Sequence, residues 1–290
     1  MEWERAKNYI LIFFILLNLG LGGLRFFEDR QYTLSGDQER IIRNVLTQNN
    51  ISMYRFPMRR FPPMLPIEMT GFYYDVPALI EILFPDPSQA MRIDDPSRII
   101  YEDESREHRL VISNGFIAFD IFTPYVGALG GGAGISPAEA RAIASEFVNR
   151  HFPSFVLDAT RNVPNGMRLT FHEVYRDHII YTNFVELLVT PEGMIRQIEM
   201  QFGRILGYTG TRSRIFSPDE ALLTFVQRMH HIAQGEPIFI VRMDMAYFVD
   251  YTIGDQPGIP YVLVPFYRIF TLGDDDRAIL INAFTNAIID

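Results

Sequence analysis

Six histidines are the side chains of this sequence best suited to bind metal or transfer protons: His108, His151, His172, His178, His230 and His231. None lies in a His-Glu-x-x-His pattern, and the adjacent His230 and His231 would point about 100° apart on a helix. The run Asp274-Asp275-Asp276 lacks the alternating acidic spacing and closing Glu of a calcium loop. Like Asp94-Asp95, it therefore predicts a solvated turn. We expect no metal site and no cofactor.

Nucleophiles in a catalytic pattern are also missing from the sequence. The chain has no cysteine, which excludes thiol nucleophiles, disulfides and zinc-thiolate sites. No Gly-x-Ser-x-Gly is present, and Lys7 is the only lysine, so Ser-x-x-Lys cannot occur. The glycine-rich residues 127–134 contain neither Gly-Lys-Ser/Thr nor Gly-x-Gly-x-x-Gly and predict a linker. We therefore expect a protein that is not an enzyme.

Composition excludes two further classes of protein. Among 290 residues, 48% are hydrophobic and 13% aromatic, too many for a largely disordered chain. The formal net charge of −9 argues against binding to nucleic acid. The length is that of one or two domains with ample core.

The beginning of the chain predicts a membrane anchor. Residues 9–24 carry no charge, and sixteen helical residues span about 24 Å. Residues 8–27 would cross the roughly 30 Å hydrocarbon core, with Arg25 extending toward the headgroups. A cleaved signal peptide is the alternative, but no Ala-x-Ala follows, and apolar residues continue past Arg25. We expect a single-pass protein of the cell membrane. Residues 1–7 would lie in the cytoplasm, and the bulk of the chain would be extracytoplasmic.

One face of this predicted span is suited to contact another helix. Asn18 lies near its middle and Gly22 four residues later, with Leu11, Phe14 and Ile15 on the same side. An amide in hydrocarbon forms interhelical hydrogen bonds, and glycine permits close approach. The alternative is that a single helix tolerates one Asn without a partner, and Gly-x-x-x-Gly is absent.

Residues 28–126 predict an α+β part of their own. Ser35 can cap a helix over residues 35–49, and prolines follow at 57–66. Further elements are a strand at 67–74, a short helix at 76–84, and meander strands at 98–101, 109–113 and 116–122, the last two joined by Asn114-Gly115. Residues 127–135 are the predicted linker.

Beyond the linker the sequence repeats a pattern. Ser136 with Glu139, and Ser217 with Glu220, each form Ser-Pro-x-Glu, a serine cap, a first-turn proline and a capping-box glutamate. Strand-like runs divided by turns follow each helix. The pattern predicts two helix-plus-meander repeats, 136–210 and 211–290, that would fold together as a soluble pair. The expected fold class is α+β, with helices on antiparallel sheets.

The first 50 residues resemble the YycI family. The resemblance rests on Trp3, Lys7, Leu17-Asn18 and the apolar run between them. The similarity continues through Arg30-Gln31-Tyr32 to Asn50-Ile51. The Ser-Pro-x-Glu-Ala helices also resemble PepSY-type and YpeB-like domains. The chain departs from the YycI pattern in having one lysine and the proline-rich segment at 57–66.

The resemblance implies a function without catalysis. YycI proteins are single-pass regulators of the WalK–WalR (YycG–YycF) two-component system in Gram-positive bacteria. The implied partners are the membrane, a sensor histidine kinase of the WalK/YycG type and a YycH-like sister protein. Two alternatives stay open: a membrane-anchored PepSY-like module that binds or inhibits a peptidase or cell-wall enzyme, and an anchored enzyme with a scattered site.

Overall fold

The computed structural model describes residues 7, 11, 13–21, 31–54, 56, 58–72, 74–113, 115–122, 134–232, 236–249 and 260–289. Residues 13–21 are helical. Among the described residues, no helix combines the length and the apolar character needed to span a membrane. The predicted span at 8–27 lies partly outside the described residues, as do Trp3, Gly22 and most of the predicted linker.

From residue 31 onward, helices and strands intermix. The helices are α1 (Gly36–Gln48), α2 (Val76–Leu83), a 3-10 turn (Pro87–Gln89), α3 (Pro137–His151) and α4 (Pro218–Ile232). The strands are β1 (Ile51–Met53), β2 (Ile67–Phe72), β3 (Met91–Asp95), β4 (Arg98–Glu102), β5 (His108–Ser113), β6 (Phe116–Ile121), β7 (Phe155–Val163), β8 (Gly166–Tyr175), β9 (His178–Val189), β10 (Ile195–Gln201), β11 (Gly203–Tyr208), β12 (Ile238–Val249), β13 (Tyr261–Thr271), β14 (Asp274–Asn282) and β15 (Ile288–Ile289).

The strands form one mainly antiparallel sheet, which confirms the predicted α+β class. Its principal order is β11-β2-β13-β12-β9-β10-β6-β5-β4-β3, with β8 and β7 added beside β9. Strand β9 joins the two halves. Its first residues pair with β12 in parallel, and residues 184–189 pair with β10 in the antiparallel sense.

Two hydrophobic cores lie along this sheet. One core packs α2 and α3 on β5–β10, with Leu110, Ala144 and Leu187 inaccessible or nearly so. The other packs α1 and α4 on β2, β12, β13 and β14, around Ile67, Phe225 and Tyr267. We call residues 74–202 the inserted unit, and residues 31–72 with 203–289 the flanking unit.

This division differs from the predicted domains. Residues 28–126 do not form a part of their own, because β1 pairs with β12, and β2 lies between β11 and β13. A three-residue strand and an amphipathic helix cannot bury their apolar faces alone. Residues 31–72 therefore complete the flanking unit, whereas α2 and β3–β6 belong to the inserted unit.

The sequence patterns missed four strands, β1, β3, β7 and β11. Asp94 and Asp95 end β3, and the turn follows at residues 96–97, where Asp95 Oδ1 accepts the Ser97 N–H at 3.1 Å. Asp274 likewise begins β14 and pairs with Thr271. Strand β10 ends at Gln201, and the chain continues from Gly203 as β11 in the flanking unit.

Candidate functional site

The predicted helix-contact face is described at four positions. Leu11, Phe14 and Ile15 are at least half exposed. Asn18 donates its side-chain N–H to the Phe14 carbonyl oxygen at 2.8 Å, one turn earlier in the same helix. This bond uses one of the two amide hydrogens of Asn18. Lys7 is exposed and helical.

The two Ser-Pro-x-Glu motifs begin α3 and α4, one in each unit. Ser136 is the N-cap of α3, and the Glu139 carboxylate accepts both the Ser136 backbone N–H at 2.7 Å and its hydroxyl at 2.8 Å. These hydrogen bonds lower the pKa of Glu139. Glu220 Oε2 accepts the same two donors from Ser217 at 2.7 and 2.8 Å. Both motifs position helices, and none of their four residues lines the cavity described next.

A cavity of about 360 Å³ lies at the junction of the two units. Its position follows from strand alternation. Along β8, Leu169 and Phe171 enter the core under the helices, so Arg168, Thr170 and His172 face the opposite side. Along β13, Tyr267 and Ile269 enter the core, and Arg268 and Phe270 face the opposite side. The cavity lies on this second face.

An ion-pair network meets the cavity at Asp158, which is one of the lining residues. Arg268 is fully buried and contacts Asp158 of β7 (Nη1 to Oδ2, 2.7 Å) and Asp244 of β12 (Nε to Oδ1, 2.6 Å). Second hydrogen bonds from Nη2 to each carboxylate measure 3.2 and 2.9 Å. Arg242 of β12 adds a 3.0 Å contact to Asp158 and lies over the Phe270 ring at 3.9 Å. Asp158 belongs to the inserted unit and the other three charged residues to the flanking unit, so the network joins the units.

Burial and charge set the protonation of this network. Burial opposes ionisation of Asp158, but the hydrogen bonds and charge of Arg268 outweigh it and lower the pKa of Asp158. Burial lowers the pKa of His172 to about 4, against the attraction of Asp158, whose Oδ2 lies 3.5 Å from Nε2. His172 is therefore neutral near pH 7.

A second charged pair lines the cavity on the inserted unit. Arg168 Nη1 lies 2.5 Å from Glu186 Oε1, and Nη2 donates to Gln197 Oε1 at 3.1 Å. The Thr170 hydroxyl donates to the other Glu186 oxygen at 2.9 Å. The positive and negative charges here are thus held by protein partners.

Aromatic rings complete the lining. Tyr181 packs against His172 with ring centroids 4.7 Å apart, and Phe184 lies beyond it at 6.4 Å from His172. Phe248 and Phe270 come from the flanking unit. Burial also raises the pKa of Tyr181, so its phenol stays protonated.

This arrangement is suited to recognition of a small molecule through rings, hydroxyls and paired charges. Among the described residues, no three His, Asp or Glu side chains converge as a metal ion would require.

Sequence reasoning missed this cavity, although one signal was present. Arg268 is the single charged residue in the strand sequence YVLVPFYRIF, and an arginine in such a run must find buried carboxylates. Its partner Asp158 lies 110 residues earlier, in a strand that the patterns did not predict.

Comparisons with known proteins show a fold and no family. No family model and no curated protein matches the chain. A crystal structure of an uncharacterized protein from Eubacterium rectale aligns with a TM-score of 0.53 at 10% identity, covering 83% of this chain and 90% of that chain. The Bacillus megaterium YpeB C-terminal domain aligns at 15% identity over 76% of this chain and 97% of its own, with a TM-score of 0.42, too low to establish a shared fold. The first likeness extends to the fold alone.

Proposed function

We propose that this protein is a non-enzymatic, membrane-anchored regulator that associates with a sensor histidine kinase of the WalK/YycG type and modulates its activity. The observation that carries the proposal is the head of the chain, Trp3 and Lys7 followed by an apolar run that contains Leu17-Asn18. In this proposal residues 8–27 anchor the protein, and residues 28–290 lie outside the cell together with a YycH-like partner.

The Asn18 side chain gives the proposed anchor a specific contact. Its amide donates one hydrogen to Phe14, which satisfies part of its hydrogen-bonding capacity within the helix. The remaining hydrogen and the carbonyl oxygen would form hydrogen bonds with a kinase helix. An interhelical hydrogen bond of this kind stabilises helix association by about 0.6–2 kcal/mol.

The junction between the units supports a role in signalling rather than simple anchoring. A regulator must favour one kinase state over another, so its own outer region has to hold a defined geometry or switch between two. Arg268, Asp158 and Asp244 tie β13, β7 and β12 together. A force or ligand at one unit would therefore be transmitted to the other.

A second candidate function rests on the two Ser-Pro-x-Glu helices, α3 and α4. They favour a membrane-anchored PepSY-like module that binds or inhibits a peptidase or cell-wall enzyme. This alternative accounts for Ser136–Glu139 and Ser217–Glu220 but leaves the pattern of Trp3, Lys7 and Asn18 without a role.

The experiment is affinity recovery of mildly cross-linked, full-length protein from native membranes, alongside a measurement of kinase output. Asn18→Leu is expected to reduce kinase recovery several-fold. The matched control is the double variant Leu16→Asn with Asn18→Leu, which keeps the composition of the span but moves the amide about 200° around the helix. It should not restore recovery, whereas membrane association should be equal in all three proteins.

Two results would count against the proposal. Kinase recovery and output unchanged by Asn18→Leu would remove the role of the Asn18 face. Recovery of a peptidase instead of a kinase would favour the PepSY-like alternative.

A further inference from the structure

We propose that the cavity between the two units binds a neutral, polyhydroxylated ligand, a saccharide of one or two rings. This inference goes beyond the proposed function, since it requires neither a kinase nor a membrane partner. It rests on the charge balance of the cavity, its rings and hydrogen-bonding groups, and its size.

The charges of the lining select a neutral ligand. Arg161 and Arg168 balance Asp158 and Glu186, and His172 adds no charge near pH 7. Arg168 is already held by Glu186 and Gln197, and Asp158 by Arg268 and Arg242. A charged ligand would have to displace one of these partners, and the displaced group would be left without compensation in a partly buried site.

The remaining lining matches the two chemical faces of a sugar ring. Carbon–hydrogen faces of a pyranose are apolar and pack on aromatic rings, which Tyr181, Phe184 and Phe248 provide. The hydroxyl groups at the ring edge require donors and acceptors that are fixed in position. Thr160, Thr170 and Gln201 supply these at the cavity wall.

Volume and rigidity agree with this ligand class. A cavity of about 360 Å³ is at the small end of ligand sites, which run from about 300 to 1,000 Å³, and would hold about one or two rings. Thr170 is fixed by its bond to Glu186, and Tyr181 by its contacts with His172 and Arg268. Recognition groups that are already ordered lose little entropy when a ligand binds.

The location gives binding a structural consequence. Asp158, Arg168 and His172 belong to the inserted unit, whereas Phe248 and Phe270 belong to the flanking unit. A bound ring would contact both units and stabilise their present arrangement.

The test is direct binding to full-length protein in lipid nanodiscs, because maltoside detergents would themselves present sugar rings. Saturation-transfer NMR with glucose, N-acetylglucosamine and maltose should show transfer, and titration gives Kd. Glucuronate and glucosamine are the charged comparators and should bind at least about tenfold more weakly than glucose.

Two variants and one control locate the site. Phe184→Ala and Gln201→Ala should each weaken sugar binding by about tenfold. Phe239→Ala removes an equally large ring from an exposed position outside the cavity and should leave Kd within about twofold. Unfolding midpoints of the unmodified protein and of the three variants establish that the variants are folded.

Three results would overturn the proposal: no transfer from any neutral sugar at about 20 mM, cavity variants that bind as tightly as the unmodified protein, or preference for a charged comparator.

Discussion

At the scale of single residues, the unusual feature is a fully buried arginine held by two carboxylates. Removing an ion from water costs several kcal/mol, and attraction repays this only when geometry and hydrogen bonds are good. Arg268 meets that condition, with hydrogen bonds from Nε, Nη1 and Nη2 to Asp158 and Asp244. Such a network stabilises little by itself, but it fixes which strands lie together. It is therefore better understood as specifying the junction between the units.

His172 gives the junction a pH dependence. Its pKa is lowered to about 4 by burial, whereas an unfolded histidine titrates near about 6.5. Between these values the unfolded chain takes up a proton that the folded chain does not. The contribution of His172 is therefore fully present above about pH 6.5 and declines as pH falls toward 4, by about 1.4 kcal/mol of unfolding free energy per pH unit.

His172→Gln should remove this part of the slope. Urea unfolding followed by circular dichroism between about pH 4.5 and 7.5 measures how the unfolding free energy depends on pH, in the unmodified protein and in His172→Gln. Burial also lowers the pKa values of His151 and His178, so they contribute slopes of the same sign to both curves. His178→Gln, at a half-buried position, is the control and should flatten the curve less. Equal slopes for the unmodified protein and His172→Gln would contradict the assignment.

At the scale of elements, the sequence predicted helices better than strands. Helix starts depend on local chemistry, as at Ser35, where the serine side chain accepts the Gln38 N–H and the Gln38 side chain accepts the Ser35 N–H. Strand β7 has no such signal, because Val156 and Leu157 are exposed, and a bulge interrupts its pairing with β8. The pairing of β2 with β13 joins residues about 190 positions apart and follows from burial, which no local pattern encodes.

The two serine caps permit a quantitative test. Ser136→Ala and Ser217→Ala should each lower the unfolding free energy by about 1 kcal/mol. The effect should be larger at Ser217, which is buried, than at the exposed Ser136. Threonine also caps helices and keeps the hydroxyl that the Glu139 carboxylate accepts, so Ser136→Thr should retain most of the stability that Ser136→Ala loses. Urea midpoints measure all three, and an alanine variant as stable as the unmodified protein would show that the cap contributes nothing.

At the scale of the whole molecule, the order along the chain does not match the order of folding units. The flanking unit is discontinuous in sequence. Its first elements are α1, β1 and β2, the inserted unit follows, and the flanking unit resumes at β11. Asn183 marks the return, since its side chain bonds both the N–H and the carbonyl of Gly203. Each of the two sequence repeats thus contributes to one hydrophobic core, and each core also contains elements from the first 122 residues.

The sequence pattern alone predicts that residues 136–290 fold as a pair of repeats, whereas the structure predicts that they do not. This fragment lacks β2, which lies between β11 and β13, and β6, which pairs with β10. It also loses the core residues Ile67, Met69 and Ile117, all fully buried. The fragment is expected to unfold without a cooperative urea transition, while residues 31–290 unfold cooperatively. If 136–290 unfolds as sharply as 31–290, the repeats are self-sufficient, and the first 122 residues only cover surfaces that are already stable. If it does not, the flanking unit is completed by the segment nearest the proposed anchor, and movement of that anchor would act directly on the sheet that holds Arg268.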